Sequence, residues 1–240
     1  MTRDKELEEL NEDLVCQLLL HSESFDYLLG RGLTSETIMK WQLGYCPPTW
    51  NNALRGRVTF PIVNAQSHLV SIGGRILPQY MNGKTPKYYN LPYSKSTTLF
   101  GLSECIQTKG IQELGCAVVV EDYFGVLVAH QVGYHNVVSV CGSFLTEVHL
   151  GMLLRETDII VVAFDNDEGG EKGWANAQEM SQKYDYPITK LLLEKDLDEV
   201  LVSDPKWLSS AIREAILKPP VLDHLKSLRT RLEGLSNEGQ

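Results

Sequence analysis

Three carboxylates stand where apolar runs stop. Val118-Val119-Val120 leads into Glu121, and Ile159 through Phe164 leads into Asp165, with Asp167 two residues further on. Continuous β-branched runs of this kind suit strands covered on both faces. Helical patterns follow each run, around 123–131 and 171–184, which is the rhythm of βαβ units and a parallel sheet. Ligands of such sheets sit beyond the carboxyl ends of the strands. Glu121, Asp165 and Asp167 are therefore expected along one edge, close enough to hold a cation. In Asp165-Asn166-Asp167 the period of two puts both carboxylates on one side of an extended tip. Glu168-Gly169-Gly170 supplies turn residues before the next helix. Clustered carboxylates repel unless a divalent cation neutralises them, and Mg²⁺ takes one or two carboxylates plus waters and substrate phosphates. A solvated acidic loop and an aspartyl nucleophile of a phosphotransfer enzyme remain as other readings of these residues.

The charge of the chain is segregated. Its 240 residues carry a net charge of −9, yet Asn51 to Ser103 contains no Asp or Glu. Arg55, Arg57, Arg75, Lys84, Lys87 and Lys95 make that block +6, so the remainder carries −15. A local positive field within an acidic total suits phosphates. Tyr88, Tyr89 and Tyr93 lie within the block, available for base stacking or for packing on a half-buried strand. The five cysteines are scattered with no CxxC, and the six histidines show no metal-ligand spacing. Reduced thiols and no zinc site in this chain are the expectation. No apolar run approaches a membrane helix, and the acidic N-terminus lacks a signal core. A cytoplasmic protein, of a bacterial cell or a phage-infected host, with no membrane association is expected.

The elements that must position these groups follow in order. A helix is expected over 4–20, a short one over 25–29, and another from the Thr34 cap to about Trp41. Residues 55–62 and 69–77 read as an antiparallel hairpin. A helix over 103–114 leads into the parallel module, and helices over 206–217 and 221–234 close the chain.

The parallel module resembles the Toprim fold shared by DnaG-type primases, topoisomerases and some nucleases. The landmarks are Glu121 after the first strand, Gly133 in the helix-to-strand turn, Cys141-Gly142-Ser143 after the second strand, and Asp165-x-Asp167-x-x-Gly170. Leu191-Leu192-Leu193, followed by Asp196 and Asp198, is similar to that family's last strand and second acidic pair. Upstream, the Phe60-Pro61-Ile62 strand, the Gly73-Gly74-Arg75 turn, Pro86-Lys87-Tyr88-Tyr89-Asn90 and Leu99-Phe100-Gly101-Leu102 resemble the basic N-terminal subdomain of DnaG-type primases. Other Toprim proteins lack that block.

The resemblance implies an α/β architecture. A mixed, basic N-terminal subdomain (1–110) would precede a Toprim parallel-sheet module (111–203) and C-terminal helices (204–240). It implies a DNA primase, making short RNA primers on single-stranded DNA by metal-dependent nucleotidyl transfer. Catalysis would fall to Glu121, Asp165 and Asp167. Those three with Asp196 and Asp198 would hold Mg²⁺ or Mn²⁺. Arg55, Arg57, Arg75, Lys84, Lys87, Tyr88 and Asn90 would bind nucleotide or nucleic acid. Implied partners are the template, ribonucleoside triphosphates and a replicative helicase or other replisome subunit. A Toprim nuclease, or an inactive nucleic-acid-binding or helicase-regulating subunit, is the alternative.

Two departures stand out. The zinc module that normally precedes the primase core has no counterpart here. The family's Glu-Gly-x-x-Asp reads Glu121-Asp122-Tyr123-Phe124-Gly125, so the acid and the glycine are exchanged. With one helical turn between them, Asp122 is not expected to replace the missing acid simply, and a helical Gly125 costs roughly 1 kcal/mol relative to Ala.

Overall fold

The structure is a computed structural model describing residues 3–218 and, beyond them, Val221, Asp223, His224, Lys226 and Ser227. It contains two four-stranded sheets. The first is antiparallel, in the order β1 (Gly44–Cys46), β2 (Arg57–Val63), β3 (Leu69–Ile76), β4 (Tyr88–Asn90). The expected hairpin is β2–β3, paired from Arg57↔Ile76 to Val63↔Leu69. Three helices precede it: α1 (Arg3–Leu20), α2 (Ser22–Gly30) and α3 (Ser35–Lys40), the last capped by the Thr34 hydroxyl accepting from Thr37 N–H.

The second sheet is parallel, ordered β6 (Val137–Ser139), β5 (Ala117–Val120), β7 (Ile160–Val162), β8 (Ile188–Lys190). Its helices are α4 (Leu102–Thr108), α5 (Gly110–Leu114), α6 (Tyr123–Gln131), α7 (Glu147–Leu153), α8 (Glu168–Tyr184), α9 (Leu197–Ser203) and α10 (Trp207–Ile216). Burial on both faces explains the unbroken β-branched runs. Val118, Val120, Val161 and Ala163 face α6, α9 and α10 in one core. Ala117, Val119, Ile160 and Val162 face α4, α7 and α8 in the other. The first core also contains Val58, Phe60 and Ile62 of the antiparallel sheet. Phe60 stacks on Tyr123 of α6 at 4.5 Å, and Phe100 bridges to Ser139 at the edge of the parallel sheet. The basic sheet is thus packed directly onto the helix that follows Glu121.

Three expectations are corrected, and a fourth falls outside the described residues. The single helix over 103–114 is two, because Lys109 takes the left-handed conformation (φ 56°) and ends α4. The strand expected at Leu191–Leu193 is β8, ending at Lys190. Leu191 N–H gives the last bond to the Val162 carbonyl, and the chain then leaves the sheet with Leu191 and Leu193 buried. Helix α8 begins at Glu168, so Glu168-Gly169-Gly170 form its first turn rather than a turn before it. The helix expected over 221–234 lies outside the described residues apart from the five named above.

Candidate active site

Strands β5 and β7 are hydrogen-bonded neighbours, with Val119 paired to Val162. Their exits therefore lie side by side, and Asp165 N–H donates to Glu121 Oε1 at 3.1 Å. Glu121 and Asp165 form the centre of the site. Burial, then the charges of Asp165, Asp167 and Asp122, push the Glu121 carboxyl up to about 7. Burial, then Asp196, Asp122 and Asp167, push Asp165 up to about 6, against the pull of Lys87.

Asp167 is exposed and caps α8, Oδ1 accepting from Gly170 N–H at 2.9 Å. Its other oxygen has no part in the cap. Asp196 sits at the start of α9 without a side-chain cap bond. Asp198 departs from expectation. It is 2% exposed and turned into an ion pair with Arg31, whose guanidinium lies 4.7 Å from the Phe124 ring centre. A carboxylate sealed in that way is an internal counter-charge rather than an open ligand.

Each cation of the basic block has its place. Arg55, Lys84, Lys87 and Lys95 are exposed. Lys87 exerts a slight downward pull on the Asp165 carboxyl, and its neighbour Tyr88 reaches Asp122, so the cationic block adjoins the carboxylates. Arg57, read from sequence as a free phosphate donor, is 3% exposed, with Nη1 donating to the Pro86 and Lys87 carbonyls. It holds the 86–88 segment in place. Arg75 Nη1 donates to Tyr88 Oη at 2.7 Å, and Tyr88 donates to Asp122 Oδ2 at 2.8 Å. Asn90 Oδ1 accepts from Tyr123 Oη at 2.8 Å. Arg75, Tyr88 and Asn90 thus tie β3 and β4 to α6, leaving exposed Tyr89 as the ring open to a base. Arg31 escaped the sequence reading altogether, since nothing local marks the partner of an acid 167 residues away.

Two consequences are measurable. A Cβ on Gly170 would lie 1.8 Å from the Asp165 carbonyl oxygen. Gly170→Ala must therefore displace either α8 or Asp165, at about 1–3 kcal/mol for an overpacked site. Urea unfolding should register that loss, with metal uptake reduced alongside it. Unchanged stability would mean that the contact is looser. The second concerns Glu121→Gln. A carboxyl raised in the fold binds its proton more tightly there than in the unfolded chain. Its contribution is full below about pH 4.5 and lost as pH rises through about 7. In EDTA the variant should gain on wild type across that window, reaching about 1–3 kcal/mol by pH 8. Comparison with wild type cancels the titration of histidines. A constant difference from pH 5 to 8 would contradict the buried like-charge pair.

The resemblance to the Toprim fold implies dependence on a divalent metal. Among the described residues, no three His, Cys, Asp or Glu side chains form a ready-made metal cage. The donors at the strand ends are all carboxylate oxygens, gathered where burial and neighbouring carboxylates disfavour their charge, which fits a hard cation held by one or two carboxylates with waters and phosphates. Glu121 and Asp165 are the residues placed to hold it, with Asp167 and Asp196 beside them.

Fold and site define a Toprim-fold core joined to a cationic antiparallel sheet. Residues 115–191 match the Toprim domain, and residues 51–106 match the N-terminal domain of the DNA primase catalytic core. A DNA primase of Deinococcus radiodurans is 32% identical over 237 residues, covering 82% of this chain and 40% of that protein. A solved DnaG catalytic core aligns with a TM-score of 0.78 at 25% identity, covering 89% of this chain and 80% of that one. A DnaG primase catalytic domain bound to single-stranded DNA shares the fold (TM-score 0.78, 24% identity, 88% of this chain and 78% of that one). The chain belongs to the DnaG-type primase catalytic-core family. It spans 40% of the length of the Deinococcus relative.

Proposed function

We propose that this chain is the catalytic core of a DNA primase, joining ribonucleotides into short RNA primers on a single-stranded DNA template. The observation that carries the reading is the hydrogen bond from Tyr88, in an acid-free cationic block, to Asp122 beside the Glu121–Asp165 pair. A polymerase needs both, cations for template and triphosphate and carboxylates at the reacting phosphate. When bound, Mg²⁺ or Mn²⁺ neutralises the triphosphate and acidifies the attacking 3′-hydroxyl. Glu121 and Asp165 hold that ion, with Asp167 and Asp196 extending the negative field. The alternative role for Glu121, with Oε1 engaged by Asp165 N–H, is general base, taking the hydroxyl proton at Oε2 instead of holding the ion.

Arg55, Lys84 and Lys87 bind phosphates, and Arg57, Arg75, Tyr88 and Asn90 support the surface that carries them. Residues 1–110, 111–203 and 204–240 act as basic block, Toprim module and C-terminal helices. No helix among the described residues is long and apolar enough to cross a membrane; we place the protein in the cytoplasm with a replicative helicase or other replisome subunit as partner. The test supplies labelled ribonucleotides and mixed-sequence single-stranded DNA with Mg²⁺ or Mn²⁺. Short labelled products that need both template and metal are expected. DNA cleavage without incorporation would replace the reading with a nuclease.

A further inference from the structure

We infer that Asp122 is a positioning residue of the acidic centre and that the exchange of acid and glycine between 122 and 125 is compensated in space. The inference rests on the primase reading above for the reaction involved, but not for its geometry.

Residue 122 does not lie on the helix. It is the N-cap of α6, in extended conformation (φ −121°, ψ 176°), and its side chain folds back over the first turn. Oδ1 accepts from Gly125 N–H at 3.0 Å. A Cβ placed on Gly125 would stand 3.5 Å from that same oxygen, with Val120 Cγ2 at 3.5 Å and Leu197 Cβ at 3.7 Å. These are ordinary contacts, so the site accepts a Cβ without strain, and a side chain at 125 would start out against the Asp122 carboxylate. The separation of one helical turn, which argued against substitution, does not apply to a cap whose side chain reaches back to the turn.

The remaining contacts exceed what a cap requires. Capping uses one side-chain oxygen, and Ser or Asn supplies it equally well. Here Oδ2 also accepts from Tyr88 Oη at 2.8 Å, and that phenol accepts from Arg75 Nη1 at 2.7 Å. Burial, with the charge of Asp122 next, holds the Tyr88 phenol far above its ordinary pKa, so it remains a donor. The Arg75 guanidinium lies over the Tyr88 and Phe124 rings, at 5.2 and 5.5 Å. The chain Arg75–Tyr88–Asp122 runs from the basic sheet to the residue beside Glu121. The acid stands three residues earlier in the chain, its carboxylate is fixed beside Glu121 by the first turn of α6, and the basic sheet has gained a grip on it.

The experiment compares wild type, Asp122→Asn, Asp122→Gly and the exchange Asp122→Gly/Gly125→Asp. Mn²⁺ uptake is read from the spin-resonance signal of the free ion, and kcat and KM from ribonucleotide incorporation. Asn keeps the cap, so that variant should fold as wild type does. Loss of the carboxylate should weaken Mn²⁺ binding by about tenfold or more, as for other groups that orient metal ligands. It should lower kcat in proportion, with little change in KM. The exchange variant should recover Mn²⁺ affinity to within about threefold of wild type, a recovery that loss of a cap alone does not predict. Unchanged Mn²⁺ affinity in Asp122→Asn would overturn the inference. So would an exchange variant that unfolds cooperatively but binds as weakly as Asp122→Gly, or a wild type that binds no Mn²⁺. Incorporation absent from wild type despite tight Mn²⁺ binding would count against the primase reading alone, and the affinity series would still decide this one.

Discussion

Asp165→Asn is expected to lower metal-dependent ribonucleotide incorporation by about 1,000-fold while leaving the fold as stable as before, or more so. Roughly 4 kcal/mol of transition-state stabilisation corresponds to that factor, within the several kcal/mol that a bound metal contributes. The stability half of the prediction has the opposite sign for a physical reason. Burial and the charges of Asp196, Asp122 and Asp167 raise the Asp165 carboxyl to about 6, so near neutral pH the metal-free fold keeps an ion that its surroundings disfavour. Asn removes the charge and keeps the size. Incorporation assays beside thermal melts in EDTA check both halves. A variant that loses activity through a lower melting temperature would show that Asp165 serves the fold instead.

The second large effect lies away from the strand ends. Arg31, in the turn after α2, pairs with Asp198 at the start of α9 and covers the Phe124 ring. Asp198 is 2% exposed, and its pKa is raised to about 6, because burial outweighs the help that Arg31 gives. Arg31→Ala would leave a buried carboxylate without a counter-charge, a loss of about 3–5 kcal/mol at pH 8. Protonation can relieve it, so the loss should shrink below pH 6. Arg31→Met/Asp198→Asn removes both charges and should lie much nearer wild type. Denaturant titrations of the three proteins at pH 5.5 and 8 form the check. Equal losses at both pH values, or a double variant no better than Arg31→Ala, would contradict the ion pair.

What the sequence shows and what it hides divide along physical lines. Glu121 and Asp165 were legible because strands buried on both faces must be apolar throughout, so the first carboxylate after each run marks a strand end. The acid-free stretch from 51 to 103 was legible as charge. Direction was not: the same composition would serve whether Arg57 faced phosphate or, as it does, the Pro86 and Lys87 carbonyls. Gly169 and Gly170 looked like a turn because glycine usually marks one. Here a small residue is needed at 170 for the first turn of α8 to pass the Asp165 carbonyl. Asp198 looked like an open ligand because its partner is 167 residues away, beyond any local pattern. Asp122 looked misplaced because spacing counts residues and ignores where a cap folds its side chain.

The most direct test of template-directed synthesis by this core is a template exchange. Two single-stranded DNAs are supplied in turn, one lacking dA and one lacking dG, with each labelled ribonucleotide present separately and Mg²⁺ or Mn²⁺ throughout. A primase incorporates UTP on the second but not the first, and CTP on the first but not the second. Incorporation that ignores the template, or none with either metal while the strands remain bound, would contradict the account.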